Sequence, residues 1–151
     1  MPLQERLFEI AARIVKEQGA ELIDVEVKGD GQGALFLIYS DTEAGITLGE
    51  CVKISRAIQD ELDIDGGFPG RYRLEVSSPG LTRPLTTDFQ LKKNIGQDIS
   101  VRFNDPDSKL QKVSGVLSAF TETQLHIRMA DGSLKSLNRE KIKTIKIKLK
   151  W

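Results

Sequence analysis

The sequence predicts an α+β protein of two domains: an N-terminal α-β-β-α-β unit folded as two layers, then a C-terminal small β-barrel of five strands. Three observations lead there. Helix-period and strand-period segments alternate as far as Ser78, and short strands dominate beyond it. A stretch stiffened by Pro79 and Pro84 separates the two regions. The sign of the charge also reverses there. Residues 1–81 hold 8 Lys and Arg against 15 Asp and Glu, a net −7, whereas residues 82–151 hold 14 against 7, a net +7. The neutral total therefore hides two regions with different electrostatic tasks, or two halves that attract each other.

The first domain is expected over residues 1–81. Leu3, Leu7, Ile10, Ala11 and Ile14 follow the spacing of one apolar helix face, and Gly19 suits the left-handed residue that ends such a helix. Ile23, Val25 and Val27 alternate with Asp24, Glu26 and Lys28, a strand with one wet face. The glycines of residues 29–33 turn the chain into a near-continuous apolar strand from Ala34 to Tyr39, completing a hairpin. Thr47 and Glu50 form a capping box, with Ile46 and Cys51 placed as a hydrophobic staple. Cys51, Ile54, Ser55, Ile58 and Leu62 continue as the buried stripe of that second helix, which the Gly-rich residues 65–70 end. Tyr72, Leu74 and Val76 then alternate with Arg73, Glu75 and Ser77 as a third strand. This order is satisfied by two helices on one face of a three-stranded sheet, leaving Asp24, Glu26, Arg73 and Glu75 on the other.

The hinge residues are Ser78, Pro79, Gly80, Arg83 and Pro84. Pro79 removes a backbone donor and biases Ser78 towards extended geometry, while Gly80 permits a backbone angle most residues avoid. Such a segment ends one folding unit and sets the direction of the next.

The second domain is expected over residues 82–151. Thr87 to Gln90 repeats the capping-box pattern for a short helix that stops by Gly96. Five short strands follow, around Ile99–Phe103, Lys112–Phe120, Leu125–Met129, Ser133–Leu137 and Ile145–Leu149. Gly115 is expected to permit a sharp bend, Asp131-Gly132 to form a two-residue hairpin turn, and Arg139-Glu140-Lys141 to make a single helical turn. A small barrel would close most of the sheet edges.

Composition and motifs argue against catalysis. No apolar run approaches the roughly 20 residues that span a bilayer, and the N-terminus lacks the pattern of a signal peptide. A single cysteine excludes an internal disulfide, and these features together favour the cytoplasm. His126 is the one histidine, on the polar side of its strand with no orienting partner in view. Cys51 lies in a helix stripe, where a free cysteine behaves as a small hydrophobe. Asp24 and Glu26 read as solubilising charges facing Arg73 on a neighbouring strand, rather than as a catalytic pair. Asp105 and Asp107 lack the spaced oxygen ligands of a calcium loop. The glycines of residues 29–33 join two strands, whereas a phosphate loop runs from a strand into a helix. No catalytic, metal or cofactor site is expected.

Binding is better supported. Arg102, Lys112, Arg128, Lys135, Lys146, Lys148 and Lys150 head an excess of cations suited to phosphate contacts. Lysines along a terminal strand also protect an exposed edge from mispairing, and both readings stand for the tail. Trp151 is the one candidate for exposed base stacking.

The run Leu74-Glu75-Val76-Ser77-Ser78-Pro79-Gly80-Leu81, followed by Arg83-Pro84-Leu85, resembles the signature of the bacterial RimP ribosome maturation factors. Gly19-Ala20-Glu21-Leu22 with Asp24-Val25-Glu26, and Gly45-Ile46-Thr47 with Cys51 and Ser55-Arg56, resemble that family's flanking blocks. The resemblance implies an Sm-like barrel in the second half, though there the match is looser. It also implies a monomeric, cytoplasmic, non-enzymatic factor without cofactor, membrane or small-molecule substrate. Such a factor binds the immature small (30S) ribosomal subunit transiently, promotes folding of its RNA near the central pseudoknot, and helps incorporate its ribosomal protein number twelve. On the charge split, an acidic face carrying Asp24, Glu26 and Glu75 would dock a basic ribosomal protein, while the cations meet RNA or the rim of that protein. Thr82 stands where the family commonly has aspartate, and the Lys-rich tail also departs from its pattern. The rival readings are a general Sm-like RNA chaperone assembled as a ring, and a small hydrolase, which the chain supplies with no nucleophile–base pair.

Overall fold

The computed structural model describes residues 3–29, 33–65, 72–80 and 83–149. The chain divides into two compact units, Met1–Pro79 and Gly80–Trp151. The first contains α1 (Leu3–Glu17), β1 (Glu21–Lys28), β2 (Ala34–Asp41), α2 (Leu48–Asp65) and β3 (Tyr72–Ser77). The second contains α3 (Asp88–Lys93), β4 (Asp98–Asn104), β5 (Leu110–Phe120), β6 (Gln124–Arg128), β7 (Leu134–Asn138), a 3₁₀ turn (Arg139–Lys141) and β8 (Ile142–Ile147).

In the first unit Gly19 ends α1 with φ +82°. Its amide donates to Lys16 O at 3.0 Å and the Ala20 amide donates to Val15 O at 3.0 Å, the two bonds of a Schellman motif. The box at α2 forms as the sequence expects: Glu50 N donates to Thr47 Oγ1 at 3.1 Å and Thr47 N donates to Glu50 Oε1 at 3.0 Å. The strands order β1-β2-β3, with β1 antiparallel and β3 parallel to the central β2. Leu7, Ala11, Ile14 and Val15 of α1 and Ile54, Ile58 and Leu62 of α2 bury themselves on Val25, Phe36 and Ile38 of the sheet. Each fully buried aliphatic side chain of this kind contributes about 1.5–3 kcal/mol. Arg6 with Asp65 and Arg13 with Glu61 (2.7 Å) tie the two helices antiparallel. These pairs are partly exposed and each contributes about 1 kcal/mol or less.

The expectation that Arg73 neighbours Asp24 and Glu26 is corrected by this order. β2 lies between their strands, and Arg73 pairs along its own strand with Glu75 at 3.4 Å.

The second unit is a five-stranded antiparallel sheet in the order β7-β6-β5-β4-β8. Closure into a barrel by strand pairing is not formed, because β7 and β8 are the two edges. The sheet nevertheless has to curl. A flat sheet would hold its edges about 19 Å apart at the usual strand spacing, yet one 3₁₀ turn joins β7 to β8. Ile99, Val101, Leu117, Leu125, Ile127, Leu137 and Ile145 fill the concave side, with Leu91 of α3. Leu85 N donates to Ile145 O at 2.7 Å, so the chain entering this unit covers part of the β8 edge.

Gly115 sits where β5 changes partner from β4 to β6. A Cβ there would stand 2.5 Å from Ile127 Cγ2 and 2.6 Å from Arg128 O, so the bend depends on glycine through close approach. The Asp131-Gly132 hairpin differs from the two-residue turn expected. Gly132 alone has positive φ, its amide donates to Met129 O at 2.9 Å, and Met129 N donates to Ser133 O at 2.8 Å. This is a three-residue loop ending on a left-handed glycine.

Candidate functional site

The pleat of β4 sends Ile99, Val101 and Phe103 into the core and Ser100 and Arg102 outwards. Register then determines their neighbours. Arg102 lies opposite Lys112 of β5 on one side and Thr144 of β8 on the other; Ser100 lies opposite Ser114 and Lys146. Ser100, Arg102, Lys112, Thr144, Lys146 and Ile147 line a groove of about 360 Å³. Among the described residues no carboxylate pairs with Arg102, Lys112 or Lys146. Like charges directly opposite on adjacent strands repel, so Arg102 and Lys112 lower the stability of the sheet they stand on.

A second hollow of about 220 Å³ holds Arg128 and Lys148 with Asp98 and Ser114. Because Ser114 is the cross-strand partner of Ser100, it adjoins the first. The structure thus brings Arg102, Lys112, Lys146, Lys148 and Arg128 to one region of the convex surface. Lys135 stands apart, its Nζ 5.3 Å from the centre of the Phe103 ring, where it caps the core. Arg139 is committed elsewhere, donating to Asp88 Oδ1 and Thr121 O, each at 2.7 Å. Lys150 and Trp151 lie outside the described residues.

In the first unit Asp24 and Glu26 of β1 and Glu75 of β3 share the sheet face away from the helices. Between them run Leu35, Leu37 and Tyr39 of β2, with Glu26, Leu37 and Glu75 in register across all three strands. Reading Ala34–Tyr39 as a continuous apolar strand missed these three as a surface feature. The signal was present, since alternate residues of a strand cannot all reach one core.

In the segment expected to act as a hinge, Gly80 has φ +72°, the left-handed region its position predicted. Ser78, Pro79, Arg83 and Pro84 are described, whereas Leu81 and Thr82 lie outside the described residues.

Of the groups weighed for catalysis, His126 has a partner that the sequence did not announce: its Nδ1 lies 2.7 Å from Oγ of the exposed Ser136 across the β6–β7 pair, so a serine–imidazole contact is present where no nucleophile–base pair was expected. Burial, and to a lesser degree the neighbouring Glu50 carboxylate, pushes the Cys51 thiol up and keeps it protonated. Asp105 closes its own loop, accepting from the amides of Asp107 and Lys109, both at 2.9 Å. Among the described residues no three His, Cys, Asp or Glu side chains gather as metal ligands. No described helix is long and apolar enough to cross a membrane. Residues 10–82 match the family model described as the RimP N-terminal domain.

Proposed function

We propose, from the place that a RimP N-terminal domain gives this chain in the RimP family of ribosome maturation factors, that it assists assembly of the small ribosomal subunit. It binds the immature 30S particle transiently and without a covalent step. By preferring one assembly state it raises that state's population, near the central pseudoknot of the small-subunit RNA and during entry of ribosomal protein number twelve. The domain match carries this reading, and the grouping of Arg102, Lys112 and Lys146, with which no carboxylate pairs among the described residues, supports it.

The second unit, an Sm-like barrel on this reading, meets RNA through the Arg102, Lys112 and Lys146 groove. The face carrying Asp24, Glu26 and Glu75, with Leu37 between the last two, docks a basic ribosomal protein by joining apolar contact to opposite charge. The factor acts as a cytoplasmic monomer without cofactor.

Sucrose-gradient profiles of a strain lacking this chain test the proposal. Free small subunits and precursor small-subunit RNA should accumulate and return to normal when the chain is restored. Normal subunits with fully processed RNA would overturn it. A crosslinking map with the first unit on phosphates and the second away from RNA would overturn the division of labour.

A further inference from the structure

The geometry points to the groove of Arg102, Lys112 and Lys146 as a seat for the phosphate backbone of base-paired RNA, bound without reading base identity. This deepens the proposed role in ribosome assembly and rests on it.

Edge protection does not account for Arg102. Lys146 is on edge strand β8, and Lys112 is on the stretch of β5 before Val116 that pairs with β4 alone, but Arg102 is paired with β5 on one side and β8 on the other. Arg102 and Lys112 are also directly opposite one another, the arrangement that like charges disfavour. With strands about 4.8 Å apart and residues about 3.4 Å apart along them, the three Cα atoms lie within about 12 Å. Their long side chains can therefore converge on one phosphate or straddle two neighbouring ones. Ser100 and Thr144, on the floor of the same groove, supply hydroxyl donors for phosphate oxygens.

Base reading is argued against by what lines the site. Among the described residues its one apolar member is Ile147, and none of those lining it is an aromatic ring on which an unpaired base could stack. A ligand held by charge and hydroxyls alone is one whose bases are already stacked in a helix, presenting phosphates and sugar hydroxyls. An acidic protein segment fits less well, since protein partners draw most of their affinity from apolar and aromatic anchors.

The full chain should be titrated against a fluorescent RNA hairpin of arbitrary sequence over a salt series, by anisotropy. The test variant is Arg102→Gln/Lys112→Gln/Lys146→Gln. Its control, Lys92→Gln/Lys109→Gln/Lys141→Gln, removes the same charge outside the groove, and amide spectra establish that both fold. The groove variant should weaken binding about tenfold or more at 50 mM salt and flatten the log–log salt slope by about 2 to 3. The control should change little, and scrambling the duplex sequence should have no effect. Several results would overturn the assignment: unaltered binding by the groove variant, equal loss in the control, tighter binding of a single strand of equal length, or a groove that prefers polyglutamate to the hairpin. Co-sedimentation of the wild-type chain with precursor small subunits is measured in parallel. Its failure would remove the assembly role and leave the groove result standing, whereas its success beside a silent groove variant would remove only the groove.

Discussion

Replacing Gly115 by alanine tests how the site is positioned. The added Cβ meets Ile127 Cγ2 at 2.5 Å and Arg128 O at 2.6 Å, and the second of these atoms belongs to the β6 backbone. Overpacking of this kind costs about 1–3 kcal/mol. Restricting the unfolded chain offsets about 0.4–1 kcal/mol of that. The second unit should therefore lose about 1–2 kcal/mol. Two compact units need not unfold together, so the assay is amide hydrogen exchange, with the first unit as internal reference. Exchange at Val101, Leu117 and Ile127 should quicken about tenfold, since about 1.4 kcal/mol is a factor of ten, while Phe36 and Ile38 stay unchanged. In an Ile127→Ala background the Cγ2 contact is gone but the carbonyl remains, so the extra penalty should shrink without vanishing. Unaltered or slower exchange in Gly115→Ala would refute the reasoning, as would an identical penalty in both backgrounds.

Two further predictions concern local devices. Thr47→Ala removes one half of the box at the start of α2 and should cost about 1 kcal/mol, read as faster exchange across the first turns of that helix with the second unit unaffected. The backbone amide of Lys109, then the Gln111 side chain and the Asp107 amide, hold the Asp105 carboxyl below the usual carboxylate range. Its folded value thus lies below its unfolded one, so the stabilisation is present above about pH 4 and is lost as pH falls through the folded value. An NMR titration of the Asp105 side chain should give that lowered midpoint, and Asp105→Asn should flatten the acid limb of the second unit's stability curve.

The elements were legible because their signals are local. Gly19, the Thr47–Glu50 box and the Thr87–Gln90 box act within five residues, and each appears in the structure with its expected partner. What needed pairing between distant segments was less accessible. Alternation told that Arg73 and Glu26 share a face, but not that β2 separates them. Asp131-Gly132 announced a turn, while the flanking strands decided its length. For the candidate site, composition identified the cations but could not sort them. Arg102 and Lys112 are ten residues apart and become neighbours only through the β4–β5 register, whereas Lys135, equally basic in sequence, is directed over Phe103.

That juxtaposition yields a prediction in which stability and binding move in opposite directions. Lys112→Glu would place a carboxylate opposite Arg102, turning a repulsive cross-strand pair into an attractive one. Such exposed pairs contribute about 0.2–1 kcal/mol, so the free second unit should become slightly more stable, with slower exchange at Val101 and Val113. The same change removes one positive charge from the groove and adds a negative one, so RNA binding should fall further than in Lys112→Gln. Reduced stability together with reduced binding would mean that Lys112 supports the sheet, and greater stability with unchanged binding would mean that RNA does not enter the groove. A sheet selected for stability alone would gain from the substitution. The lysine's presence opposite Arg102 follows if the repulsion is relieved when a phosphate arrives between them.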